Sequence, residues 1–192
     1  MNEYNAPPWR YTRVMTTLDT ASEFLRFSRH KLLDQYWPRL RSCVDSLSDE
    51  QVWWRPNPSS NSIGNLLLHL NGNVTQWLVA SFERAEDKRN RPAEFAQNEG
   101  ISRTELLRQL GDTLTRGAAV LDRLAAADLL AQYEIQGYTV TGLQAVYQVV
   151  EHFALHYGQI VYITKMLRDV DLGFYSALNT TGRSSGDDGT RF

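Results

Sequence analysis

Two histidines four residues apart, His152 and His156, lie in the most apolar stretch of this 192-residue chain. On a helix that spacing puts both imidazoles on one face, one turn apart, where their ring nitrogens can converge on a single ion. A third histidine, His69, lies between Leu68 and Leu70. It belongs to a polar line of Ser62, Asn65, His69, Asn73 and Gln76 that runs beside an apolar helix face, as the wall of a wet internal cavity would. Buried imidazoles need polar partners, and a shared cation supplies one. Three neutral imidazoles around an ion leave coordination positions open, and an open site is more often catalytic than structural. A divalent ion there lowers the pKa of a bound water or thiol and makes hydroxide or thiolate available near neutral pH. Imidazole donors do not select one metal. Zinc or nickel is the first expectation, with iron or manganese next. The competing reading is of core histidines bonded to carbonyls or water, with no ion at all.

Other polar residues group around this trio. Gln159 continues the face of His152 and His156, and Asn65, Asn73 and Gln148 lie on the same two segments. They are either outer hydrogen-bonding partners of the ligands or ordinary polar residues filling the core. Trp53 and Trp54 either wall a ligand pocket or anchor a loop on the protein body. Arg55 either holds a substrate carboxylate or makes a surface ion pair. His30, among Arg29, Lys31 and Asp34, reads as a solvated surface residue. The zinc-protease pattern His-Glu-x-x-His is absent, because Glu151 precedes the pair instead of following its first member. Cys43 lies in a helical stretch and reads as a packing residue, so any reacting thiol comes from outside the chain.

Four long helical patterns must position these groups. The first covers residues 18–47, with Phe24, Leu25, Leu32, Leu33, Tyr36, Leu40, Val44 and Leu47 at three- and four-residue spacing. Pro38 should kink or divide it near Trp37, since proline donates no backbone hydrogen bond and its ring clashes with the preceding turn. Ser48 then caps a short turn, and residues 55–62 form a loop dense in turn formers. The second helix covers 62–84 and carries His69. Residues 85–100 read as a polar loop, long enough for a crossing connection. Ser102 and Glu105 form a capping-box pattern that opens the third helix. Extended structure is plausible only at residues 133–140, after which Thr139 or Thr141 caps a fourth helix ending near Leu167. That helix is apolar on most sides from Val146 to Ile163, which places it at the centre of the molecule. The expected architecture is all-α, a four-helix bundle in one domain over residues 1–178, followed by a mobile tail at 179–192.

Composition excludes several classes. Hydrophobic residues make up 42% of the chain, enough for a full core. The formal net charge of −2, from 20 basic and 22 acidic residues, gives no footing for nucleic acid or an anionic membrane surface. No apolar run approaches the roughly 18 residues a membrane span requires. One cysteine allows no internal disulfide, and with no signal peptide pattern a cytoplasmic location is expected.

Three segments carry a resemblance: LSDEQVWWRPN at 47–57, NSIGNLLLHL at 61–70 and EHFALHYGQI at 151–160. Together they resemble the DinB-like superfamily, in particular a branch of small bacterial proteins of unassigned function. The resemblance covers nearly the whole chain except its ends. It implies a four-helix bundle with a three-histidine metal site, in which His69 matches the second-helix ligand and His152 and His156 match the fourth-helix pair. Relatives include transferases and isomerases that use low-molecular-weight bacterial thiols, and homodimers are common among them. Three functional readings follow: a metal-dependent thiol transferase or hydrolase, a non-catalytic protein braced by its ion, and a helical interaction module without metal.

Overall fold

The computed structural model describes residues 19–176. The expected tail at 179–192 lies outside the described residues. Asp19 opens the first helix, its carboxylate accepting from the Ser22 N–H at 2.7 Å. Helix α1 (Thr20–His30) runs through a π-helical stretch (Lys31–Tyr36) into α2 (Trp37–Asp45) without a break. The wide turn lies directly before Pro38, and the Trp37 N–H reaches five residues back to the Leu32 carbonyl. A proline that can neither donate nor tolerate a normal preceding turn is thus accommodated by widening the turn. The division expected near Trp37 takes that form.

Ser48 and Gln51 form a reciprocal capping box on α3 (Asp49–Trp53). Ser62 and Asn65 do the same for α4 (Ile63–Val74). A second π-helical stretch (Thr75–Ala80) leads to the single turn α5 (Ser81–Glu83), which ends on Arg84 in the left-handed region at φ 53°. The connection over residues 85–100, expected as plain loop, contains a short helix, α6 (Arg91–Ala96). Helix α7 (Arg103–Arg123) begins on Ser102, which accepts from the Glu105 N–H at 3.2 Å. The reciprocal half of the expected box is missing, because the Glu105 carboxylate bonds Arg108 and Gln109 instead.

After α8 (Ala126–Leu130), a hairpin pairs β1 (Gln132–Ile135) with β2 (Tyr138–Thr141), Gln132 opposite Thr141 and Ile135 opposite Tyr138. Its two turn residues, Gln136 and Gly137, have φ of 54° and 80°. Two consecutive positive values fit the tight hairpin turn whose twist matches that of the strands. Thr141 and Gln144 then box the start of α9 (Gly142–Arg168).

Helix α4 packs on α7 and α9, and α2 packs on the same two helices. Leu40, Val44, Ile63, Leu70, Val74, Leu110, Ala145, Phe153 and Ile160 are fully buried between them. Helix α9 is not enclosed as its composition suggested. Tyr147, Leu155 and Tyr162 stand 57%, 60% and 68% exposed on its outer side. Apolar residues on both sides of α9 hide the period that would have marked one side as outward.

Candidate metal centre

His69 lies on α4, two residues beyond the first turn and a half, and is 4% exposed. His152 and His156 lie on α9 and are half-buried. The helix packing brings the three rings together. Their centroids are 4.9 Å apart for His69 and His152, 5.1 Å for His69 and His156, and 4.4 Å for His152 and His156. One ligand nitrogen from each ring lies within 4.8 Å of the others, and the His69 and His152 Nε2 atoms are 2.9 Å apart. Ligands bonded at 2.0–2.1 Å to one ion stand roughly 3.0–3.4 Å from each other. The His69–His152 pair is therefore close to the spacing an ion imposes, with the His156 nitrogen within 4.8 Å of both. Among the described residues, no other group of three metal-ligating side chains is so placed.

Two of the outer nitrogens have polar partners. His156 Nδ1 lies 2.7 Å from the Gln159 carbonyl oxygen at the exposed rim. His69 Nδ1 lies 2.8 Å from Glu94 Oε2, in the interior. Glu94 is itself clamped by Arg89, whose Nε donates to Oε1 at 2.7 Å and Nη2 to Oε2 at 2.9 Å. Arg89 Nη1 donates to Gln76 at 2.9 Å, and Gln76 donates to Asp87. The Phe95 ring, one residue after Glu94, covers His69 at a centroid distance of 4.8 Å.

Glu94 and Arg89 were not legible as site residues in the sequence. Both come from the connection read as loop. Helix α6 has six residues, too few to show an apolar period. A local signal did exist: Asn90 accepts from the Ala93 N–H at 3.2 Å, and Pro92 falls in the first turn, the usual opening of a helix.

The remaining candidates divide. Asn65 touches no histidine. Its amide donates to the Glu94 and Gln97 carbonyls at 2.9 and 2.7 Å and so fixes α6 against α4. Asn73 follows His69 by one turn, and Gln148 precedes His152 by one turn. The side-chain oxygen of each is buried without a hydrogen-bond donor. Trp53 donates from Nε1 to the Ile101 carbonyl at 2.9 Å, and Arg55 donates to the Gln97 carbonyl at 2.9 Å. Trp53 and Trp54 line a surface hollow with Asn98 and Ser102, and no histidine borders it. Cys43 is fully buried, and burial pushes its thiol up to about 11. At neutral pH it is a protonated packing residue.

Burial, reinforced by the charges of His156, His69, Arg89 and Arg91, lowers His152 to about 4 in the metal-free chain. Burial also lowers His156, against an opposing hydrogen bond to Gln159. Burial pushes Glu94 up, but the bonds from Arg89 and His69 outweigh it and leave the carboxyl below its usual range. Both lowered histidines, His152 and His156, are thereby held in the neutral form a metal ligand needs.

A pH dependence follows. A histidine lowered in the folded state binds fewer protons there than in the unfolded chain, where it titrates near 6.5. Stability of the metal-free protein is thus retained above pH 6.5 and lost as pH falls from there toward 4. Melting temperatures in the presence of a chelator should drop between pH 7 and 5. The drop should flatten in a double variant with His152→Gln and His156→Gln. An equal slope in both proteins would assign the effect to other groups.

The family "Protein of unknown function (DUF1572)" matches residues 19–179 by sequence. The chain belongs to this DinB-like family. Solved structures carry the same fold at low identity. A DinB-like protein from Bacillus subtilis, YjoA, superposes with a TM-score of 0.59 at 18% identity, covering 80% of this chain and 97% of its own. A DinB-like protein from Bacillus cereus gives 0.57 at 13% identity, covering 75% and 90%. A conserved protein from Enterococcus faecalis gives 0.63 at 16% identity, covering 73% and 94%. No curated protein matches the chain. This DUF1572 member therefore has a DinB-like helical fold and a three-histidine group. Among its described residues, no helix is long and apolar enough to cross a membrane.

Proposed function

We propose that this protein holds one divalent ion on His69, His152 and His156 and uses it to activate a small thiol or a water for transfer or hydrolysis. The observation that carries this reading is the convergence of three imidazole nitrogens from two helices within 4.8 Å. Two features support the fit of an ion. The donors are imidazoles, the borderline ligands that zinc and nickel favour. The buried oxygens of Asn73 and Gln148 lie one turn from His69 and His152 and lack donors, so each could accept from an X–H group held between the helices.

A bound ion would supply Lewis acidity and lower the pKa of a water or thiol beside it. The chain's own residues do the rest. The three imidazoles would hold the ion, Phe95 packs on the His69 ring, and the unpaired Asn73 and Gln148 oxygens would accept a donor hydrogen. Cys43 cannot serve as nucleophile because it is buried and protonated, so the thiol is a substrate.

Because His69 and the pair lie on different helices, an ion could also act only as a brace between α4 and α9. The test separates the readings. Protein purified without an affinity tag should contain about one equivalent of metal by elemental analysis. It should then be assayed with bacterial low-molecular-weight thiols plus electrophilic acceptors, and with simple esters and amides. Turnover that a chelator abolishes and added metal restores supports the catalytic reading. Bound metal without turnover leaves the brace, and protein without metal overturns both.

A further inference from the structure

The connection before α7 contributes more to the histidine site than a path for the chain. Glu94 Oε2 lies 2.8 Å from His69 Nδ1, and the carboxylate is held by two hydrogen bonds from Arg89. Arg89 Nη2 also lies 3.0 Å from the same ring nitrogen. Only one of these two contacts can be a hydrogen bond, because a single ring nitrogen either donates or accepts. If Nδ1 were bare, its lone pair would face a carboxylate oxygen at hydrogen-bond distance, with no proton between them. If Nδ1 carries the proton, it donates to Glu94. Arg89 loses nothing, since Glu94 and Gln76 already take its N–H groups. The second arrangement satisfies every group, and it leaves Nε2, the atom facing His152, free to bind an ion.

We infer that Glu94 is a positioning residue that fixes the His69 tautomer with Nε2 available to the metal, and that Gly72 is what allows it to reach the ring. This rests on the proposed metal site and extends it to residues outside the ligand trio. A methyl at Gly72 would lie 2.1 Å from Glu94 Oε1 and 2.7 Å from Arg89 Nε. Gly72 follows His69 by three residues on α4, so any larger residue there pushes the carboxylate and its arginine off the histidine. Carboxylate partners of this kind fix ring orientation and raise ligand basicity, and losing one lowers metal affinity about 10–100-fold.

The test has two independent readouts. Long-range proton–nitrogen NMR of the metal-free protein reports which nitrogen of His69 is protonated, with His69→Gln providing the assignment. The expected spectrum shows Nδ1–H and a bare Nε2. Zinc affinity, measured by competition with a chromophoric chelator, should fall about 10–100-fold in Gly72→Ala and in Glu94→Gln, with all three ligands intact. In Glu94→Gln the His69 signals should also shift toward the other tautomer, because an amide N–H can then face Nδ1. A native spectrum showing Nε2–H overturns the inference, as does zinc affinity within twofold of the parent in both variants. If a variant fails to fold, the native spectrum still decides. If the native protein binds no zinc, the metal site falls, and the tautomer is judged on the spectrum alone.

Discussion

His152→Ala should abolish stoichiometric metal binding, a larger effect than the roughly tenfold to hundredfold loss typical of an outer partner. His152 is the middle member of the trio. Its Nε2 lies 2.9 Å from that of His69, and its ring centroid is 4.4 Å from that of His156. Alanine would leave one imidazole on each of two helices, a donor set that holds a divalent ion weakly against water. The fold should survive, because the half-buried ring belongs to none of the apolar core. Melting of the metal-free variant should stay close to that of the metal-free parent. The difference between metal-loaded and metal-free melting, present in the parent, should vanish in the variant. If turnover is found, it should disappear with the metal. A variant that still copurifies with a full equivalent would show that the ion is held elsewhere.

Phe153→Ala, one residue away, should do the reverse: it should weaken the fold by about 3–5 kcal/mol while leaving the ligands in place. Phe153 is fully buried, and its ring stacks on Tyr36 at a centroid distance of 6.2 Å. Tyr36 in turn stacks on Tyr157 at 5.4 Å. Removing the ring opens a cavity between α9 and the π-helical stretch that carries Tyr36. For a chain of this size the melting temperature should fall by roughly 6–20 °C. Urea unfolding should show an earlier midpoint with an unchanged slope, the signature of lost stability without a change in exposed surface. Leu155→Ala is the control. Leu155 is 60% exposed, so its truncation should change stability by no more than about 0.5 kcal/mol. Equal losses in the two variants would mean that α9 is buried differently from the arrangement described above.

The contrast between Phe153 and Leu155 shows what sequence can and cannot reveal. Periodicity located the long helices, and the caps at Ser48 on the short α3, at Ser102 on α7 and, as one of two candidates, at Thr141 on α9 followed from local chemistry that needs no tertiary context. The i, i+4 spacing of His152 and His156 made them neighbours on any helix. Their meeting with His69 depends on how α4 packs on α9; among the residues themselves only the polar line through His69 hinted at it, and the family resemblance supplied the rest. The orientation of α9 was illegible, because its exposed face carries Tyr147, Leu155 and Tyr162 in place of charged residues. Glu94 and Arg89 were illegible for another reason. Their role depends on a contact across 25 and 20 residues with His69, made by a segment whose composition is that of an ordinary surface loop. The two π-helical stretches also escaped notice. One lies beside Pro38, where a disturbance was expected, but nothing in residues 75–80 marks the other.

Connectors between helices are usually the tolerant parts of a chain, the places where it can be cut, lengthened or reopened as new termini. Here the stretch from Asp87 to Gln97 is held to the body by Glu94 on His69, by Arg89 on Gln76 and by Asn65 on the Glu94 and Gln97 carbonyls, and removing one partner of the buried Arg89–Glu94 pair at its centre commonly costs about 3–5 kcal/mol. A protease nick or an inserted tag between α5 and α6 would therefore act as a lesion of the histidine cluster rather than as a silent surface edit. Engineered permutants of this protein should be opened at the hairpin tip, Gln136–Gly137.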